Sequence, residues 1–276
     1  MKKNITLGHS PDADDAFMFY GISKGVITSD KFTFDHIIRD IQTLNVLAIN
    51  NEIDTTAVSA HAYTKINKDY RVMDCGASMG DGYGPIVVGK KLLDSTKGAK
   101  IAIPGKLTSA FLLLQLYCND AEFVEYDFDQ VVPAIINSEV DAGLIIHEGQ
   151  ITYKDLGLNL LIDLPSLWSK ECSSPIPLGL NVISRSLDIE EQEEISGMIK
   201  NSITYSLNNI EEALDYAMEF GRGVSRDVAR EFVLMYVNED TVDITKRGLK
   251  GLNFFYESAY KKGLIKEKIE LDLILT

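Results

Sequence analysis

The chain has 276 residues, enough to bury a substantial core as one large or two smaller domains. Hydrophobic residues make up 45% and charged residues 25%, as in ordinary globular proteins. The net charge of −14 repels phosphate backbones and excludes nucleic acid as an expected partner.

Three scattered cysteines, Cys75, Cys118 and Cys172, fit reduced thiols rather than a disulfide framework. The N-terminal stretch has no apolar run of signal-peptide length, and no window approaches 18 uninterrupted apolar residues. A cytoplasmic protein without a membrane span is therefore expected.

In chain order, "NITLGHS" reads as a strand and Ser10-Pro11-Asp12 as a helix start, with serine as cap and proline at the first helical position. "KFTFDHII" alternates with period two, as a half-buried strand does. Asp40 can cap the helix "IQTLNVLAIN"; "DTTAVS" is a short strand, and "SAHAYTKI" is helical. "YRVMDCG" and "GPIVVGK" are further strands. The pattern then repeats: strand "AKIAIPG", helix "LTSAFLLLQLYC", strand "EFVEYD", helix "FDQVVPAIINS" and strand "VDAGLII". "LNLLIDL" and "IPLGLNVISRS" follow as strands, and residues 188–263 read as three or four amphipathic helices.

Strands alternating with helices imply parallel βαβ units, here in two sets. The expected fold is α/β, with two lobes joined by crossings near residues 88–98 and 173–180. The first lobe is discontinuous, residues 1–90 plus 176–276, and the second covers 91–175. A single doubly wound sheet with a helical extension is the alternative.

Ligands of open parallel sheets sit beyond the carboxyl ends of the strands. Those ends deliver Ser10, Ser59, Thr108 with Ser109, and His147 with Glu148. Small hydroxyls beside free N–H groups at helix starts suit a small, polar, anionic molecule. Each serine or threonine alone is more economically a helix cap, and His147 alone is an even choice between structural and functional roles. His9, His36 and His61 read as structural. "DADD" at 12–15 lacks the remaining ligands of a calcium loop, and "GDGYG" at 80–84 matches no phosphate-binding loop, so neither a metal nor a cofactor is expected.

"SPDADDAFMFYG", "LNVLA", "VSAHAY", "GPIVV", "IPGKLTSAFLLL", "AGLIIHE", "PLGLNVISR" and "YVNEDTVD" occur in the order seen in the 1,4-dihydroxy-6-naphthoate synthase family of the futalosine route to menaquinone, which the chain resembles from about residue 5 to 265. The resemblance implies a type II periplasmic-binding-protein-like fold, with a cleft between lobes, that has become a cofactor-free lyase. By motif, His147 corresponds to the catalytic base. Ser59, with Ala57 and Val58 before it, and Ser109 with Ala110 correspond to substrate-binding positions, and Asn45 is a further pocket residue. Glu148, adjacent on a strand, would face the opposite side, and a structural role is expected for it. Two rivals stay open: chorismate dehydratase of the same pathway, and a non-catalytic cytoplasmic protein that binds small anions. The chain alone allows a monomer or a homodimer.

Overall fold

The computed structural model describes residues 2–146, 149–220 and 225–276. Among them the strands form two separate sheets, one of seven strands and one of five.

The first sheet contains β1 (Lys3–His9), β2 (Phe32–Ile38), β3 (Thr55–Ser59), β4 (Tyr70–Met73) and β5 (Ser78–Gly80). The second holds β6 (Ile86–Gly89), β7 (Lys100–Ile103), β8 (Glu122–Glu125), β9 (Ala142–Ile145) and β10 (Asn159–Asp163). The chain then returns to the first sheet through β11 (Ile176–Ser184), and β12 (Leu273–Ile274) completes it.

The order in the first sheet is β12-β4-β11-β3-β1-β2, with β5 also on β11; in the second it is β10-β6-β9-β7-β8. β1 runs parallel to both β2 and β3, whereas β11 runs antiparallel to β3, β4 and β5. β7 likewise lies parallel between β8 and β9. The parallel pairs with intervening helices are the βαβ units read from the alternation of strand and helix patterns.

One crossing differs from expectation. "GPIVVGK" supplies β6, which pairs with β9 and β10 in the second sheet, so the chain leaves the first sheet between Gly80 and Ile86 and not near 88–98. All four β6 residues are buried, as a strand covered on both faces requires, and an apolar run of that kind carries no mark of which sheet it joins.

Several helix starts follow their caps. The helix expected to begin after Ser10 instead starts at Ala13, with Asp12 at the cap position and no side-chain cap bond, because Ser10 Oγ and Asp12 bond each other. The Asp40 side chain accepts from Thr43 N at the start of helix Ile41–Ile49, and Thr108 accepts from Phe111 N at the start of helix Ser109–Tyr117. Asp188 and Glu191 form a reciprocal capping box at the long helix Ile189–Asn208. Short segments were less legible: helix Leu164–Glu171 and strands β5 and β12 lie where no periodic pattern announces them.

The core has one cluster on each side of the first sheet, plus a smaller one within the second lobe. The largest joins Val58, Leu180 and Val182 to Leu112, Leu113 and Trp168, and so packs the two lobes against each other through helices Ala60–Ile66, Ser109–Tyr117 and Lys246–Lys261. The other face of the first sheet, with Ile5, Leu7 and Ile183, is covered by helices including Ala13–Met18 and Ile189–Asn208.

Candidate functional site

Between the sheets lies a cleft with about 730 Å³ of empty space, its open mouth included. Its walls come from strand ends and helix starts of both lobes, as the carboxyl-end rule for parallel sheets requires.

Six of the residues singled out in the sequence line this cleft: Ser10, Ala57, Ser59, Thr108, Ser109 and Ala110. Val58 does not. Its side chain is fully buried in the interlobe core, because alternate residues of a strand face opposite sides. Asn45 is also fully buried and stands behind Ser59 rather than on the wall. His147 and Glu148 lie outside the described residues.

The local geometry of each wall follows from its sequence. Ser59 ends β3 and precedes helix Ala60–Ile66. Its N–H donates to Asn45 Oδ1 at 2.8 Å, and its Oγ accepts from Asn45 Nδ2 at 3.1 Å. Ser109 opens helix Ser109–Tyr117; its Oγ donates to Leu178 O at 2.5 Å and accepts from His61 N at 3.3 Å. Thr108 is occupied as the cap, with Oγ1 also donating to Gly105 O at 2.9 Å. Backbone N–H groups of Ser109 and Ala110 are among those a helix start leaves without an intrahelical acceptor, and they sit at the wall.

Beside the cleft, Leu107 N donates to Gln42 Oε1 at 3.2 Å, linking the "PGKL" loop to helix Ile41–Ile49. Gly105 (φ +147°) makes room for that contact, since a Cβ there would lie 2.4 Å from Gln42 Oε1. At the other side, Tyr236 OH donates to Gln150 Oε1 at 3.1 Å. Phe232 and Tyr236 both line the cleft from helix Arg226–Tyr236, with rings 4.8 Å apart. Gln150, Phe232 and Tyr236 were not found from sequence. Two aromatics four residues apart on an amphipathic helix carry the same signal as a core stripe.

The turn after β1 brings Asp12, Asp14 and Asp15 to the cleft. Burial raises the pKa of Asp15, opposed by the Ser10 N–H that donates to its Oδ2 at 2.7 Å. Burial also lowers His9, His36 and His61 to about 4, which keeps these imidazoles neutral near pH 7. No group of three or more His, Cys, Asp or Glu side chains among the described residues is arranged to hold a metal ion. No helix among them is long and apolar enough to cross a membrane.

Such a cleft offers hydroxyls, helix-start N–H groups, carboxylates and aromatic surface to a small molecule. Comparison with known proteins narrows the field. The fold is that of periplasmic binding proteins: the alkanesulfonate-binding protein SsuA of Xanthomonas axonopodis pv. citri, bound to MOPS, superposes with a TM-score of 0.76 over 100% of both chains, at 12% identity. At 47% identity, a crystal structure of an Archaeoglobus fulgidus protein superposes with a TM-score of 0.92 over 95% of this chain and 98% of that one. A Thermus thermophilus protein named 1,4-dihydroxy-6-naphthoate synthase is 32% identical over 260 residues, 94% of this chain and 95% of the relative. The sequence profile described as menaquinone biosynthesis matches residues 5–261, and the chain therefore belongs to the menaquinone-biosynthesis family.

Proposed function

We propose that the protein is a cytoplasmic 1,4-dihydroxy-6-naphthoate synthase, a carbon–carbon lyase that converts cyclic dehypoxanthinyl futalosine to the naphthoate. The observation that carries this reading is the family match over 5–261, combined with a cleft whose walls hold Ser59, Ser109 and Ala110. The Thermus thermophilus relative bears that enzyme's name.

In the proposed mechanism His147 is the general base. Its described neighbours Ile146 and Gln150 line the cleft, which supports the assignment. The base takes a proton from a substrate hydroxyl or an acidic carbon. The resulting electron pair drives a retro-aldol-like cleavage, and aromatisation of the released ring pulls the reaction forward. A neutral imidazole is competent at pH 7, and general base catalysis of this kind is worth about 10²–10⁴-fold. The N–H groups of Ser109 and Ala110, with the Ser59 hydroxyl, hold the carboxylate or the developing negative charge. This chemistry asks for no cofactor.

The test is incubation of the purified protein with cyclic dehypoxanthinyl futalosine and, separately, with chorismate, followed by mass spectrometry. Naphthoate from the first supports the assignment. Dehydrated product from chorismate alone moves the protein to chorismate dehydratase, and product from neither leaves a small-anion-binding protein.

A further inference from the structure

Most hydroxyls on the cleft wall have spent their protons within the protein. Ser10 Oγ donates to Asp12 Oδ2 at 3.0 Å, Thr108 Oγ1 to Gly105 O and Ser109 Oγ to Leu178 O. Ser59 Oγ accepts from Asn45 Nδ2, and its own proton goes to no acceptor among the described residues. Ser78 also lines the cleft and is half-buried; its Oγ has neither donor nor acceptor among the described residues. A hydroxyl that serves no cap, turn or strand is available in full to a ligand.

The sheet sets Ser78 in register with Ser59. Gly179 on β11 pairs directly with Ser59 on β3 and with Ser78 on β5, so the three form one row across the strands. Residues directly opposite each other in antiparallel strands face the same side, and all three line the cleft. The middle member has no side chain, and a Cβ there would lie only 3.3 Å from Ser78 Cβ. The row is therefore an open glycine floor between two hydroxyls, whose Cα atoms stand two strand spacings, roughly 10 Å, apart. The two ends differ. Ser109 Oγ accepts from His61 N, on the helix that follows Ser59, which places Ser109 and Ala110 at the Ser59 end. Ser78 lies across the floor from them.

We propose that Ser78 is a specificity-determining residue whose hydroxyl hydrogen-bonds a ring oxygen of the substrate and of the dihydroxynaphthoate product. The inference rests on the naphthoate reading above and adds to it a direction. The carboxylate belongs at Ser59, Ser109 and Ala110, the ring lies on the Gly179 floor, and the oxygenated edge meets Ser78. Aromatisation turns a ring carbonyl into a ring hydroxyl. A serine suits both states, because it donates to the first and accepts from the second.

The experiment compares binding of 1,4-dihydroxy-6-naphthoate and of 2-naphthoate, which lacks both hydroxyls, by calorimetry under nitrogen. Turnover of cyclic dehypoxanthinyl futalosine by the wild-type protein is measured alongside. The wild-type protein is expected to prefer the dihydroxy acid by roughly tenfold or more. Ser78→Ala breaks no hydrogen bond among the described residues, so its circular dichroism spectrum should match the wild type. It is expected to keep its affinity for 2-naphthoate and to lose about three- to tenfold in affinity for the dihydroxy acid. An unchanged ratio of the two affinities in Ser78→Ala overturns the role of Ser78, and so does a wild-type protein that turns over the substrate but prefers neither acid. Failure of Ser78→Ala to fold shows that its hydroxyl serves the fold and also overturns the proposal. A wild-type protein without turnover overturns the naphthoate reading, and this inference with it.

Discussion

Asn45 grips Ser59 at two points, accepting from its N–H at 2.8 Å and donating to its Oγ at 3.1 Å. A residue with no place on the cleft wall thereby sets the rotamer of one that has. The pair also fixes which lone pairs and which proton of the Ser59 hydroxyl face the ligand, since one acceptor position of Oγ is already filled.

Asn45→Leu removes both bonds and leaves the Ser59 N–H buried without a partner. The expected cost is about 1–3 kcal/mol in urea unfolding. Turnover should fall through a raised KM more than through a lowered kcat, because substrate binding is the role proposed for Ser59. An unchanged KM would sink the positioning role.

For His147, His147→Ala is expected to keep the wild-type circular dichroism spectrum and to lose turnover of cyclic dehypoxanthinyl futalosine by about 10²-fold or more. Affinity for 1,4-dihydroxy-6-naphthoate should change little. Near-normal turnover in this variant removes His147 from the role of base.

Acid should weaken the fold in a defined window. Burial holds His9, His36 and His61 at about 4, whereas an unfolded histidine titrates near 6.5. Between those values the unfolded chain binds more protons than the folded one. This contribution to stability is therefore complete above about pH 6.5 and is lost as pH falls toward 4. Asp15, with its raised pKa, acts in the opposite sense, since acidification relieves the penalty of its buried charge. His9→Phe preserves a ring stacked on Phe19, 5.0 Å away in the native pair. In this variant the slope of unfolding free energy against pH across the window should fall by roughly 1.4 kcal/mol per pH unit. An unchanged slope contradicts the burial-driven shift of His9.

Gly105→Ala puts a Cβ into the space of Gln42 and into a φ of +147°. Unfolding measurements should show a loss of about 1 kcal/mol or more. Gln42→Ala in the same chain relieves the steric part but not the backbone strain, so the double variant should recover only part of the loss. Full recovery would assign the whole effect to the Gln42 contact.

Much of this architecture was legible in advance because it rests on local signals. Phe32 and Phe34 alternate with polar neighbours, and Asp40 and Thr108 stand where caps belong; both patterns are read from a handful of adjacent residues. Ser59, Ser109 and Ala110 were found because ligands gather at strand ends and because the motifs around them resemble those of a family. What escaped notice depends on partners distant in sequence. Whether Ile86–Gly89 joins one sheet or the other is decided by β9 and β10, more than 50 residues downstream. Asn181 sits inside a strand that reads as uniformly structural, and its burial beneath Gly76 depends on a turn more than 100 residues upstream. Tyr236 and Gln150 meet across 86 residues of chain, a distance at which periodicity carries no information.

The route of the chain also dictates an order of assembly. The strands of the five-stranded sheet all fall between Ile86 and Asp163, so that sheet can form as soon as this stretch has left the ribosome. The seven-stranded sheet begins earlier in sequence but cannot close, because β11 must insert between β3 and β4 and ends only at Ser184. The first half-sheet to be synthesised therefore waits, with the β3 and β4 edges unpaired, while the second lobe matures beside it. Nascent chains stalled before residue 176 would carry every strand of the five-stranded sheet, but would lack both β11 and the helix Lys246–Lys261 that Trp168 packs against.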